Sequence, residues 1–569
     1  MKPIPTPFIF AKAMGSGMVL AAAPKRAMVW GFCKPGAKVD VALDGDAAVA
    51  ATVGPDQATG KLTTWRVLLP ATAASFGNHT ITASSGGETL SLDGVLFGEV
   101  WVCSGQSNME YPIGTPSCWN ASNTNCAIQD AQCSFGCTQN AGAEIKAMPS
   151  YDDGMRLFTA GSGSSSAPVA DLHSATGWQK PSDAGGAFSA ACWYYGRDVY
   201  SSLSPKVPVG LIAAFVGGTP DEHWQSQDAL DTCKGTAPWQ YGKTFTDSVH
   251  WNAMVVPLLR TVHSGVVWYQ GENNAENPHQ YSCSFPALIK DWRAKWAKNT
   301  DGATDATFPF GWGQINSGDG YPWRGQLDKY ANPLFSPPDQ SGCGVCKAMC
   351  NATCLGDLHQ FWDFVQGQAT NPPNGNQDAG FPGIRGVQSA TLSLPKTFQA
   401  VIIDTPVASG AIHSPYKQPC GRRLARGGLA VAYGMTQLHA VDPVVESVKL
   451  SGQSVIVTVG GLGSKGLAVT VGAVAFEVLG NCSNQQNALC WQSTPIASAS
   501  GSTITLGKLP TDPTAVRYLW YTNPYGFQPG LAPVYALGPA AMPEGTPTLP
   551  SEFEDEKLPL GPFVLPITR

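Results

Sequence analysis

Four apolar runs that end abruptly in small polar residues constrain this chain more than any other feature. They are EVWVCSGQSNM at 99–109, VGLIAAFVGGTP at 209–220, GVVWYQGENNA at 265–275 and AVIIDTP at 400–406. Runs this uniformly apolar suit strands buried on both faces, the condition of a parallel sheet covered by helices. Helical candidates accompany them, PALIKDWRAKWAK at 286–298 and SPYKQPCGRRLARGGLAVAYG at 414–434. The expected fold class is therefore α/β, a parallel sheet flanked by helices. Ligands of such sheets bind beyond the carboxyl ends of the strands. Four polar loops would then meet in one crevice, and this convergence is the main sequence argument for a site.

The rest of the chain reads differently. At 569 residues it exceeds what one core organises. Residues 1–95 carry short alternating runs (KVDVALDG, TTWRVLLP, HTITASS) between Gly, Pro and Asp-Gly turns, which predicts a β-sandwich-like module. Residues 441–569 predict a second β module followed by an extended tail, which leaves 96–440 as the catalytic domain. The stretches 113–190 and 316–380 hold Cys, Gly, Ser and Asn with little periodicity and read as insertions near the crevice. A net charge of −6 without a basic stripe argues against a nucleic-acid partner. No apolar run is long enough for a membrane span.

Sixteen cysteines are many for a reducing compartment. Cys118, Cys126, Cys133 and Cys137 cluster, as do Cys343, Cys346, Cys350 and Cys354, and Cys482 lies close to Cys490. Asn-x-Ser/Thr sequons at Asn78, Asn120, Asn351 and Asn481 point the same way, to disulfides and an oxidising secretory compartment. The rival reading of Cys343 to Cys354 is a metal site, although its spacing is tighter than that of a usual zinc pair. The first residues, MKPIPTPFIF, show no clear signal peptide.

Ser107, in Gly105-Gln106-Ser107-Asn108-Met109, is a serine at a strand end behind a glycine, so its hydroxyl can face outward. The bland alternative is a helix-capping serine. It is not in the G-x-S-x-G setting of α/β-hydrolases. A nucleophilic serine needs a base. His413 follows the fourth run, before a helix that Ser414 can cap and Pro415 can begin. His223, with Asp221 and Glu222 beside it, is a rival that spacing alone leaves open. Gly217 and Gly218 offer uncrowded N–H groups, and Gln270 to Asn274 offer side-chain amides, for an oxyanion; simple turns explain both equally.

Taken together, GEVWVCSGQSNMEYP, VPVGLIAAFVGGTPDEHW, WNAMVVPLLR, VVWYQGENNA, the Trp292–Trp296 helix and IHSPYKQPCGRRLA resemble the sialate O-acetylesterase family of SGNH hydrolases. The resemblance covers nearly the whole chain in order. It implies a serine esterase of SGNH fold that removes acetyl groups from sialic acids or related sugars and needs no metal or other cofactor. It further implies Ser107 as nucleophile, His413 as base, Gly217 or Gly218 with Gln270 and Asn274 as the oxyanion hole, and Lys417 as the family's lysine. Gln106 and Arg385 become candidates for substrate contact. The position three residues before His413, often Asp in SGNH enzymes, is Gly410 here. Asp404, at the end of the fourth run, is the nearest upstream carboxylate and the candidate acid. Two alternatives stay open at this level: an acetylesterase acting on xylan or another polysaccharide, and a non-catalytic glycan-binding protein on the same scaffold.

Overall fold

The computed structural model describes residues 8–59, 62–114, 137–234, 247–275, 278–316, 380–405, 412–435, 438, 442–462, 465–481, 489–507, 509–520, 532–537 and 557–569. The chain is mixed α/β with several sheets. The central one contains β1 (Glu88–Gly105), β2 (Met155–Ala160), β3 (Ala175–Gln179), β4 (Val209–Phe215), β5 (Gly265–Tyr269), β6 (Phe310–Gly313) and β7 (Thr397–Ala400), in the order β3-β2-β4-β1-β5-β6-β7. Every neighbouring pair along this order is parallel except the antiparallel edge pair β2–β3. Side chains of successive strand residues point to opposite faces. Along β1, Val100 and Val102 enter one core while Trp101 and Cys103 enter the other. Both faces are buried, which is why these runs lack the polar alternation of a half-exposed strand.

Helices supply the cover. On the Trp101 face lie α2 (Ala190–Ser202), through Trp193, Tyr194 and Tyr195, and α5 (Lys417–Tyr433), through Leu424 and Leu429. On the Val100 face lie α3 (Pro278–Asn299), through Leu288, Trp292 and Trp296, and α4 (Gly380–Thr391), through Ile384 and Val387.

Several elements differ from expectation. The stretch 113–190, read as an insertion, supplies β2 and β3 of the main sheet. The strand expected at 400–406 does not form there: β7 lies just before it and ends at Ala400, and Val401 and Ile403 pack into the C-terminal β core. The helix begins at Lys417, not at Pro415, and Ser414 does not cap its first turn. Ser414 Oγ donates to the Thr405 carbonyl at 2.7 Å, which ties the two halves of that loop together. The N-terminal residues form an antiparallel sheet of Ile9–Phe10, Met28–Cys33, Leu62–Leu68 and Thr52–Thr59. Further N-terminal strands pair directly with the first half of β1, so the expected boundary at residue 95 falls inside a continuous strand. Residues 444–566 contribute further antiparallel strands around one hydrophobic cluster.

Disulfides join Cys103 to Cys192 and Cys233 to Cys283, and Cys137 is disulfide-bonded as well. The first links β1 to α2 beneath the Ser107 turn. Cys118, Cys126, Cys133, Cys343, Cys346, Cys350, Cys354 and Cys482 lie outside the described residues. Cys33 and Cys420 are free thiols and buried. Alkylating the folded protein before reduction should therefore leave Cys33 and Cys420 unmodified, and denaturation should expose both. Peptide mapping that finds either one cross-linked, or Cys103 apart from Cys192, contradicts this arrangement. No helix among the described residues is long and apolar enough to cross a membrane.

Candidate active site

The carboxyl ends of β1, β4 and β5 meet through their backbones. The Gln106 N–H donates to the Tyr269 carbonyl at 3.0 Å, and Val216 N–H donates to the Gly105 carbonyl at 3.3 Å. Gly105 has φ +141°, and a Cβ there would stand 2.2 Å from the Tyr269 carbonyl oxygen. Only glycine permits so sharp an exit from the strand. The chain then makes one helical turn, α1 (Ser107–Glu110), with Ser107 at its start. Ser107 is buried, and its Oγ makes no hydrogen bond with a described residue. Gly217 lies directly against it: a Cβ built on Gly217 would fall 3.3 Å from Ser107 Cβ.

Asn108 organises the ground beneath the serine. Its Nδ2 donates to Glu272 Oε1 at 2.6 Å and to the Ile412 carbonyl at 3.1 Å, and its Oδ1 accepts from Lys417 Nζ. One fully buried side chain thus ties the residue after Ser107 to the residue before His413. His413 is half-buried, its ring centroid 6.5 Å from that of Tyr111. Lys417 is buried between the Tyr111 and Tyr269 rings, with Nζ 4.9 and 5.1 Å from their centroids. Burial brings its pKa down to about 8, with Glu272 pulling the other way. Burial also raises the pKa of Glu272, which Asn108 and Lys417 oppose. The buried carboxylate and the buried ammonium compensate each other across Asn108, as buried charges must.

Other expected residues are placed differently. Asp404 is given to another partner: Arg423 grips it with two N–H groups at 2.6 and 2.9 Å, and the Tyr535 hydroxyl lies 3.2 Å away. Its contacts do not include His413. Gln270 Nε2 donates to the Thr219 carbonyl at 3.2 Å and to Asn274 Oδ1 at 2.6 Å. Asn274 Nδ2 in turn donates to Asp221 at 2.8 Å and to Glu222 at 2.9 Å. Both amides are therefore spent in a buried network that fixes the 219–222 loop, and neither is left for an oxyanion. Arg385 is fully buried and donates to the carbonyls of Ile315 at 3.0 Å and Asn316 at 2.9 Å, just beyond β6. Gln106 is also buried; its Oε1 accepts the Asn273 N–H at 3.3 Å. The rival base His223 packs against His250, ring centroids 5.3 Å apart, and burial brings its pKa down to about 4. Gly410 lies outside the described residues.

Sequence reasoning missed Asn108 and Glu110, and within the Gln270 to Asn274 block it singled out Gln270 and Asn274 and not Asn273. Asn273 is half-buried, and its Nδ2 donates to the Gly218 carbonyl at 2.6 Å, on the side of the loop that Asn274 leaves. Glu110 stands three residues after Ser107, so the two share one side of α1. That spacing was the available signal for it.

A family model described as carbohydrate esterase, sialic acid-specific acetylesterase, matches residues 172–321. Sialate O-acetylesterase of Homo sapiens is 31% identical over 470 residues, which covers 78% of this chain and 74% of that one. The Rattus norvegicus sialate O-acetylesterase is 30% identical over 571 residues, covering 91% and 90%. The crystal structure of a carbohydrate acetylesterase from Xanthomonas citri superposes with a TM-score of 0.67 over 98% of this chain and 99% of its own, at 24% identity, a likeness of fold.

Proposed function

The chain belongs to the sialate O-acetylesterase family, a group of carboxylic ester hydrolases, and from that premise we propose that it removes O-acetyl groups from sialic acids through an acetyl-enzyme on Ser107. It is an esterase of acetylated sugars; the choice of sialic acid, the residue roles and the SGNH type of the fold are our reading. In this reading the catalytic residues lie within 96–440, and β-rich segments of 1–95 and 441–569 pack onto that part without a boundary at residue 95.

The observation that carries it is the Asn108 bridge, which holds the Ser107 turn and the His413 loop in one buried frame. In the first step Ser107 Oγ attacks the acetyl carbon while His413 takes its proton. The oxyanion that forms is met by the Gly217 N–H and by Asn273 Nδ2, the amide not spent in the buried network. His413 returns the proton to the sugar oxygen, and the alcohol leaves. Water, deprotonated by His413, then attacks the acetyl-enzyme; the bond to Ser107 Oγ breaks as His413 returns the proton to that oxygen, and acetate is released. Asn108, Glu272 and Lys417 act by position: they fix the Ile412 carbonyl and with it the loop that carries His413. In this arrangement Asp404 is a structural carboxylate. The disulfides in the described residues support a secreted or lysosomal enzyme.

The test is a competition assay with purified enzyme, a mono-O-acetylated sialic acid and acetylated xylo-oligosaccharides in one mixture. The sialic acid ester should be consumed with at least tenfold higher kcat/KM. Preferential release of acetate from the xylo-oligosaccharide would overturn the substrate assignment while leaving the acetyl-enzyme chemistry standing.

A further inference from the structure

The mechanism leaves one carboxylate at the reacting centre without a role. Glu110 is half-buried on the same turn as Ser107. A Cβ built on Gly217 would lie 2.7 Å from Glu110 Oε2 and 3.3 Å from Ser107 Cβ, so carboxylate and nucleophile crowd the same glycine. The Gly217 N–H faces the Glu110 carboxylate and favours its charged form, while burial disfavours it. Among the described residues no Lys, Arg or His pairs with Glu110. A half-buried carboxylate with a single backbone donor is poorly satisfied, and such groups in clefts mark functional positions.

Its place creates a conflict. The oxyanion of the tetrahedral intermediate needs the Gly217 N–H, and two negative groups cannot share one donor without repulsion. A carboxylate displaced from that N–H needs a new donor. Sugar hydroxyls are donors, and an acetylated sugar with a free hydroxyl next to the ester brings one to this spot. We propose that Glu110 is a specificity-determining residue: its carboxylate and the oxyanion compete for the Gly217 N–H, and a free hydroxyl beside the acetylated oxygen draws the carboxylate away. Esters with such a hydroxyl are thereby favoured over esters without one. This inference rests on the reading of Ser107 as nucleophile and Gly217 as oxyanion donor.

The experiment compares wild type, Glu110→Ala and Glu110→Gln on two substrates, a mono-O-acetylated sugar with a free vicinal hydroxyl and its peracetylated counterpart. The quantity read is the ratio of their kcat/KM values, with thermal melts to establish folding. Loss of a hydrogen bond to a charged group is expected to lower the ratio about tenfold or more in Glu110→Ala. Glu110→Gln keeps the shape and an acceptor oxygen but not the charge, and should fall in between. It also keeps the test open if the alanine variant does not fold. A ratio within twofold of wild type in both variants, including a parallel loss or gain on the two substrates, overturns the proposal. A Ser107→Ala enzyme with wild-type rate would instead sink the reading beneath it.

Discussion

Ser107→Ala is expected to lower kcat on a small acetyl ester by about 10³-fold or more, with the melting temperature unchanged. The size follows from losing the nucleophile of a concerted Ser–His unit, after which only binding and oxyanion stabilisation remain. The unchanged stability follows from the structure: Ser107 Oγ makes no hydrogen bond with a described residue, so the alanine leaves no described partner stranded. His413→Ala should be nearly as inactive, and the double variant no worse than either single one, because neither group works without the other. Losses that multiply in the double variant would mean that the two act independently. Activity near wild type in Ser107→Ala would remove the nucleophile from the account.

The second large effect is on stability. Asp404 and Arg423 form a two-pronged ion pair, and both are buried. Removing one member of such a pair strands the other charge in low dielectric, at a cost of about 3–5 kcal/mol. Asp404→Ala should therefore shift the denaturant midpoint strongly downward, and Arg423→Met should do likewise. Under native conditions the folded fraction of Asp404→Ala should keep kcat within a few-fold of wild type. A catalytic acid would behave in the opposite way, with Asp404→Asn stable and its kcat lower by several orders of magnitude. The two outcomes separate cleanly when kcat is normalised to active sites titrated with a covalent serine reagent.

The same residue shows where sequence stops being informative. Asp404 ends an apolar run nine residues before His413 and reads naturally as its acid. What redirects it is Arg423, one helix further on, whose guanidinium a linear reading cannot aim. The pair Asn273 and Asn274 teaches a similar lesson. They are adjacent in one tight turn, so their side chains diverge, one toward Gly218 and the other into the Asp221–Glu222 network. Chemistry type was legible there, but direction was not.

The strand ends carrying Ser107, Gly217 and Asn273 were legible because long apolar runs stop at Gly105, Phe215 and Tyr269. β6 and β7 were not. FGWG holds two glycines in four residues, and TFQA looks half-polar. Its Gln399 is buried all the same, accepting the Trp312 indole N–H at 2.9 Å across the strand pair. β2 was hidden in a Gly- and Ser-rich neighbourhood whose composition suggested a loop. Short strands of a covered sheet are specified by what packs on them, and that information lies far away in the sequence.

The central claim is an acetyl group carried by Ser107. Rapid acid quenching of the enzyme during turnover of an activated acetyl ester, followed by peptide mass spectrometry, reads it directly. The account predicts an acetyl adduct on the peptide containing Ser107, formed within the burst of the first turnover and missing from Ser107→Ala. Steady hydrolysis with Ser107 unacetylated at every quench time, and the adduct found on another residue, would contradict it.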